Sequence, residues 1–446
     1  MKTIAKITLA AGVSALALTA GAHAQSTEDL EARLAQLEAM VADLRTELEA
    51  ARSDGAQAED RIVRLETRRE DAPPATAAAS PAGNGFMAGD TRVTYGGFID
   101  VDAHVTDVSD GDIAPTSIAR DFYIPGATPV GGAGDSEPDF DSTAQGTRFF
   151  FTTATPTDLG EVTSRIEFDF LGSPGGDERV SNSYNPRVRL AWAQIGNWRF
   201  GQDWSTFQNT AAIPESASFL VLSDGMIFVR QAQVRYTNGN FQFALENSDT
   251  TVTPFGGGGR IDAGDGALPD LVARYNLGGE GRNIAVTGIA RRLSAQTGGI
   301  DGEAFGWGVS VQGRVGLTDS SDLRFSLTGG EGVGRYIGLN AVNGAVATAS
   351  GDLEPIPVIG GLLAWRQEIG GGRRFNLGVS ALEADNDVAL TGLSATRSVA
   401  SAFGALMIPL APGVTLGGEL LFGERELEDG TSGSLTRATV STKYTF

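Results

Sequence analysis

From Thr91 to the last residue, apolar and polar side chains alternate in short runs, so that every second position falls on one face of an extended chain. In TRVTYGGFIDVDAHVT the apolar set is Val93, Tyr95, Ile99, Val101 and Val105, with Asp100, Asp102 and His104 on the opposite face. VTSRIEFDF sets Ile166, Phe168 and Phe170 against Arg165, Glu167 and Asp169, and LRFSL sets Leu323, Phe325 and Leu327 against Arg324 and Ser326. The closing run, LTRATVSTKYTF, sets Val440, Tyr444 and Phe446 against Arg437, Ser441 and Lys443. Short turns (GN at 196–197, NGN at 238–240, GGEG at 278–281, TDSSD at 318–322, GGG at 370–372, PLAPG at 409–413) alternate with long polar loops. Those loops run over 107–143, 172–185, 207–224, 249–268, 293–303, 332–352, 384–395 and 424–434. Eight long loops and seven short turns join sixteen strands, the up-and-down pattern of an all-β transmembrane barrel of antiparallel strands. A β-sandwich of this length would divide at linkers, and a β-helix would show a short fixed repeat. Neither occurs after residue 90.

Before Thr91 the period is different. Leu30, Leu34, Leu37, Val41, Leu44 and Leu48 are spaced 4, 3, 4, 3, 4, the seam of an α-helical coiled coil. The frame softens at Ala51, Gly55 and Ala58 and returns at Ile62 and Leu65. One amphipathic helix packed on its own domain would give a similar stripe, but this stripe is narrow and the following DAPPATAAASPAGNGFMAG offers little to pack on. A narrow stripe buries best in a homo-oligomer. At the start, Lys2 and Lys6, an apolar run over 8–20 and Ala22-His23-Ala24 make an export signal with its cleavage site. The chain therefore divides into a signal peptide (1–24), a periplasmic coiled coil (25–70), a Pro/Ala/Gly linker (71–90) and a barrel (91–446). The expected location is the Gram-negative outer membrane, with the helical stalk in the periplasm.

Charge adds a second layer. The 446 residues carry a net charge of −21 and no cysteine, which argues against nucleic acid as a partner. Lys2, Lys6 and Lys443 are the only lysines, so arginine carries the positive charge of the barrel. If the apolar face meets lipid, Arg148, Arg165, Arg187, Arg189, Arg199, Arg235, Arg274, Arg314 and Arg324 point into the lumen. Fewer acids share that face: Asp100, Asp102, Glu167, Asp169, Asp203, Glu246 and Glu419. The first long loop is acidic, with Asp107, Asp110, Asp112, Asp121, Asp135, Glu137, Asp139 and Asp141 against Arg120 alone. An arginine-bearing wall behind acidic outer loops predicts a pore for small hydrophilic solutes that favours anions such as carboxylates. The competing reading pairs those arginines with wall acids, leaving only a field across the lumen.

The loop QNTAAIPESASFLVLSDG is less charged than its neighbours. Ile213, Pro214, Glu215 and Phe219 make it a candidate constriction folded into the barrel, or else a subunit contact. Enzyme chemistry has little support. After the signal segment His104 is the only histidine, no G-x-S-x-G is present, and FGGGGR at 255–260 joins two strands rather than opening a helix. With no cysteine and no histidine cluster, neither a metal site nor a cofactor is expected.

Several stretches resemble a known family. RVRLAWAQIGNWRFGQDWSTF (187–207), PES (214–216), VRQAQVRYT (229–237), LPDLVARY (268–275) and the ending PGVTLGGELLFGERE…STKYTF are similar to the DcaP-like porins, as is the order of elements from residue 26 to 446. That resemblance implies a sixteen-stranded trimeric barrel with a periplasmic coiled-coil extension, through which small and often anionic solutes pass. The terminal Tyr444-Thr445-Phe446 resembles the signal read by the barrel assembly machinery, with outer-membrane lipid as the surrounding partner. The long acidic first loop departs from the pattern and weakens anion selection at the mouth. A structural role, with the stalk tethering the outer membrane to periplasmic or cell-wall partners, is the alternative function.

Overall fold

The computed structural model describes residues 85–446 except 133–136, 173–175, 178–180 and 280. The signal peptide, the coiled coil and the linker as far as residue 84 lie outside the described residues. The last part of the stretch read as linker is already sheet: Gly85–Ala88 folds back on Thr91–Thr94 as a short hairpin.

The wall strands are β1 (Thr91–Val108), β2 (Arg148–Thr157), β3 (Gly160–Asp169), β4 (Arg187–Ile195), β5 (Trp198–Trp204), β6 (Arg230–Asn238), β7 (Phe241–Glu246) and β8 (Asp270–Gly279). They continue as β9 (Arg282–Thr297), β10 (Ile300–Thr318), β11 (Ser321–Glu331), β12 (Pro357–Glu368), β13 (Arg374–Ala384), β14 (Thr396–Ala411), β15 (Val414–Leu427) and β16 (Ser432–Thr445). The main sheet has eighteen strands; setting aside Gly85–Ala88 and the short Asp139–Thr143 leaves these sixteen. β1 pairs antiparallel with β16 from Phe98↔Thr445 to Val108↔Leu435, so the sheet closes. The ladder reaches the last residue, because Phe446 N donates to Gly97 O at 3.1 Å and Gly97 N to Phe446 O at 3.3 Å.

The two-residue period explains the wall. Val101, Ile166, Phe243, Leu271, Val309, Leu363 and Phe422 are exposed on the outside, whereas Asp100, Asp102, His104 and Glu167 are buried within.

Two of the eight expected long loops are tight turns. The stretch 293–303 is strand except at 298–299, and 424–434 is strand except at 428–431. Polar residues there belong to strands that extend past the apolar band, where the outward face meets water while Leu293, Ala295 and Ile300 are buried against Val252, Ala345 and Leu353 of the outer connections. Cross-strand ion pairs such as Arg292–Glu303, and Arg397–Glu426 at 3.1 Å, take the place of apolar contacts.

Three other connections turn inward: 109–147, 205–229 and 332–356. This corrects the expectation that the acidic first loop lies wholly outside, since Ile113, Ala119, Phe122 and Tyr123 are buried with Leu220, Val221 and Leu222 of the loop after β5. They pack on inward-facing Leu362, Ala364, Phe403, Ala405 and Leu421 of β12, β14 and β15, strands that are apolar on both faces. Val333, Tyr336 and Ile337 extend the cluster, and Ile227 forms an antiparallel bridge with Ile337. Connections 247–269 and 332–356 also share a four-stranded sheet of Thr250–Thr253, Ile261–Ala263, Ala345–Ala347 and Leu353–Pro355.

Inserted loops need hydrogen-bond partners that no ladder supplies. Wall side chains provide them. Glu419 accepts from Ala217 N at 2.9 Å, Ser380 Oγ from Gly225 N at 2.8 Å, Glu246 from Thr206 N at 2.6 Å and Gln312 from Asn209 N at 3.0 Å.

Gly225 lies so close to β12 that a Cβ would stand 2.1 Å from Gly361 O, a backbone atom that cannot swing aside. We expect Gly225→Ala to lower the barrel's unfolding free energy by about 1–3 kcal/mol, measured as the heat-modifiable shift of the folded band in gels. An unaltered transition would mean that the loop is not seated on β12.

Candidate functional site

The lumen wall from β2 to β8 is an arginine field. Glu167 and Asp169 on β3 serve four guanidiniums: Arg189 reaches them at 2.9 and 2.7 Å, Arg187 meets Asp169 at 2.7 Å, Arg165 meets Glu167 at 2.7 Å, and Arg148 stands at 3.7 and 3.9 Å. One step round the wall, Asp203 takes Arg199 at 2.7 Å and Arg235 at 3.5 Å. Arg274 bonds only neutral groups, Asn276 Oδ1 and Gln208 O. Arg314 faces Arg324 across the β10–β11 ladder. Arg324 itself pairs with Asp322 at 3.0 Å and donates to the carbonyl of Ile213. The nine arginines read from the sequence thus line one continuous arc, seven of them sharing carboxylates.

Glu246 is placed otherwise. It is 1 % exposed and bound to Ser205 Oγ, Thr206 N and Gln231 Nε2, so it clamps the base of the loop rather than facing open lumen.

The loop 205–229 brings its candidate residues against this arc and across to the far side. β13 is eight places from β5 in a ring of sixteen, and Glu215 pairs there with Arg374 at 2.9 Å and with Arg366 of β12 at 3.4 Å. Phe219 lies among Phe122, Phe228 and the guanidiniums of Arg148 and Arg189, while Ile213, whose carbonyl takes Arg324, and Pro214 lead into Glu215. Tyr444 is exposed on the outer face, and the ring of Phe446 packs 5.9 Å from Phe149 and 6.1 Å from Tyr444.

The inward set read from the sequence leaves out Arg230, Arg366, Arg374 and Arg291, and it leaves out Arg437 although parity places that residue on the polar face. Arg366 sits on a strand whose inner face is otherwise apolar, so there the more apolar face did not identify the lipid side, and Arg374 opens β13 directly after the GGG turn. Arg230 begins a strand and lies over Trp204 at 5.0 Å, with a buried Nη1 that has no partner among the described residues. Arg291, fully buried with Asp270 at 2.8 Å, donates to Gly332 O and Asp249 O and so ties two outer connections to the wall. Arg437 holds Ala119 O of the first loop at 2.7 Å.

Three more acids lie on the remaining arc. Asp100, Asp102 and Glu419 are buried on β1 and β15, with Lys443 3.1 Å from Asp100. His104 Nδ1 lies 2.9 Å from Thr439 Oγ1. The guanidinium surplus therefore lies on the β2–β8 arc, whereas on β15, β16 and β1 the acids are matched by Arg425, Arg437 and Lys443. An apolar exterior, a closed ladder and a charged, loop-filled interior define an outer-membrane channel.

Residues 75–348 match the DcaP outer membrane protein family, and the chain belongs to it. It shares its fold with the outer membrane channel DcaP of Acinetobacter baumannii, at 22% identity over 81% of this chain and 100% of that one, with a TM-score of 0.66. More distant matches include outer-membrane expressed OmpT of Vibrio cholerae (10% identity, 81% and 100% covered, TM-score 0.49). Another is an anion-selective porin from Comamonas acidovorans (13%, 80% and 100%, 0.47). Comparison with curated protein sequences gives no match.

The two inserted loops meet at one titratable contact. Asp224 accepts from Tyr123 Oη at 2.7 Å and also bonds Ser401 Oγ. Burial pushes its carboxyl from 3.8 up to about 6, and burial beside Asp224 holds the Tyr123 phenol well above its usual range. The folded state thus holds the Asp224 proton more tightly than the unfolded chain. Its contribution is full below about pH 4 and lost as pH rises through about 6. Asp224→Asn, which keeps both bonds without the charge, should remove a decline in unfolding free energy of about 1–3 kcal/mol between those pH values. Parallel pH profiles for the two proteins would refute this.

Proposed function

We propose that the protein is a trimeric porin for passive diffusion of small hydrophilic solutes, favouring anions such as carboxylates. The observation that carries this is the surplus of guanidiniums on the β2–β8 arc: two carboxylates, Glu167 and Asp169, against four arginines, with Arg274 bound only to neutral groups. A guanidinium that shares its carboxylate keeps positive potential for a passing anion, and its planar fork fits a carboxylate without rearrangement. Part of the wall arginine charge is neutralised by its acids, so the preference is partial rather than absolute. The loop 205–229 narrows the path against this arc and sets the size limit. The helical stalk over 25–70 holds three copies together below the membrane, and Tyr444 with Phe446 serves as the signal to the assembly machinery.

In a planar bilayer under a salt gradient, the reversal potential should report anion preference, and Arg274→Glu should move it toward zero; a clear cation preference in the native protein would sink the proposal. Deleting residues 212–220 should raise single-channel conductance, because it removes the segment between the anchors at Ile213 and Glu419. Liposome swelling with solutes of graded size supplies the remaining check. Absence of flux for every solute would reject a porin and leave the tethering role.

A further inference from the structure

A separate cavity of about 360 Å³ lies on the long-loop side, between the first loop, the connections 247–269, 332–356 and 385–395, and the adjoining parts of β14 and β15. Arg260 and Arg425 both line it, with Asn340, Asn343, Asn386 and Thr396. These two arginines differ from those of the wall. Arg260 Nε donates to Asn343 Oδ1 at 2.8 Å and its Nη2 to the carbonyl of Asn340. Arg425 Nε donates to Thr396 Oγ1 at 3.0 Å, and its Nη1 to Gly126 O at 2.9 Å and Thr128 O at 3.3 Å. Every one of these acceptors is neutral. Arg260 Nη1 and Arg425 Nη2 have no partner among the described residues. Two cationic groups held by neutral oxygens leave their charge available to an anion.

The rest of the lining sets the class of that anion. The amide nitrogens of Asn340 and Asn343 donate to Val342 O and Thr253 Oγ1, so the lining offers chiefly acceptors, Asn340 Oδ1 among them, which suits alcohol groups rather than a bare hydrocarbon acid. Leu339 and Val342 supply an apolar side for a carbon skeleton. Asn386 Nδ2 is already bound, to Thr396 O at 3.0 Å and Glu428 Oε1 at 2.8 Å, which leaves its carbonyl to accept. The volume is at the small end of ligand pockets, that of a single sugar ring rather than an oligosaccharide. We infer that this cavity captures a hydroxylated monocarboxylate of sugar size at the channel mouth, the carboxylate between Arg260 and Arg425 and the hydroxyls on the asparagines and Thr396. The inference rests on the porin reading for its purpose, but binding itself needs no conduction.

Isothermal titration of the full chain in detergent micelles tests it with three probes: glucuronate, glucose and cyclohexanecarboxylate. Glucuronate should bind, and the other two at least about tenfold more weakly. Equal binding of cyclohexanecarboxylate would remove the role of the amides and hydroxyls, and equal binding of glucose that of the arginines. Arg260→Gln and Asn386→Leu should each weaken glucuronate by about tenfold, with folding checked by the heat-modifiable band; Arg373→Gln, in the short turn after β12, should leave it unchanged. Unaltered affinity in both cavity variants overturns the site. A reversal potential measured in parallel separates the two readings. Anion selectivity without glucuronate binding rejects the cavity alone, whereas cation selectivity with intact, Arg260-dependent binding rejects the anion porin and upholds the cavity.

Discussion

Closure of the backbone ladder is the constraint on which the rest of this structure depends. In hydrocarbon no water replaces a missing partner, and an open sheet edge leaves a row of unpaired groups, each costing several kcal/mol. The β1–β16 seam removes that edge, and the paired bonds between Gly97 and Phe446 carry it to the last residue of the chain. Once the ring is closed, the pleat assigns every second side chain to lipid and the others to the interior. That interior is then a container whose filling must satisfy the same rule.

The inserted loops show the rule applied a second time. A segment such as 205–229 enters the barrel without strand partners, so its backbone donors need side-chain acceptors at fixed points. Glu419, Ser380, Glu246 and Gln312 are those acceptors, and their burial follows from that role. Apolar burial supplies the complementary half: Leu220 to Leu222 and Phe122 lie against Leu362, Phe403 and Leu421, where the wall turns an apolar face inward. A wall strand that is apolar on both sides is thus the imprint of a loop packed on it.

On the arc from β2 to β8, charge and cation–π contacts take the place of apolar packing beneath the loop. Arginines outnumber carboxylates there, whereas on β15, β16 and β1 the acids Asp100, Asp102 and Glu419 are matched by Arg425, Arg437 and Lys443. A solute between the two arcs meets positive potential chiefly from the first. The outer cavity works on another footing, because Arg260 and Arg425 are held by neutral oxygens alone.

By itself the sequence determined the wall. The two-residue period, the number of strands and the inward set from Arg148 to Arg324 follow from alternation, because lipid on one side and water on the other impose opposite demands on neighbouring residues. The polar composition of 293–303 and 424–434 hid two strand extensions, since beyond the membrane the outward face meets water and no longer has to be apolar. Only the tertiary structure decided what fills the barrel: that Glu246 clamps a loop, that Tyr123 meets Asp224 and that Glu215 meets Arg374. Those contacts join residues 40, 101 and 159 positions apart, and no local period records a pairing that exists only after the ring has closed.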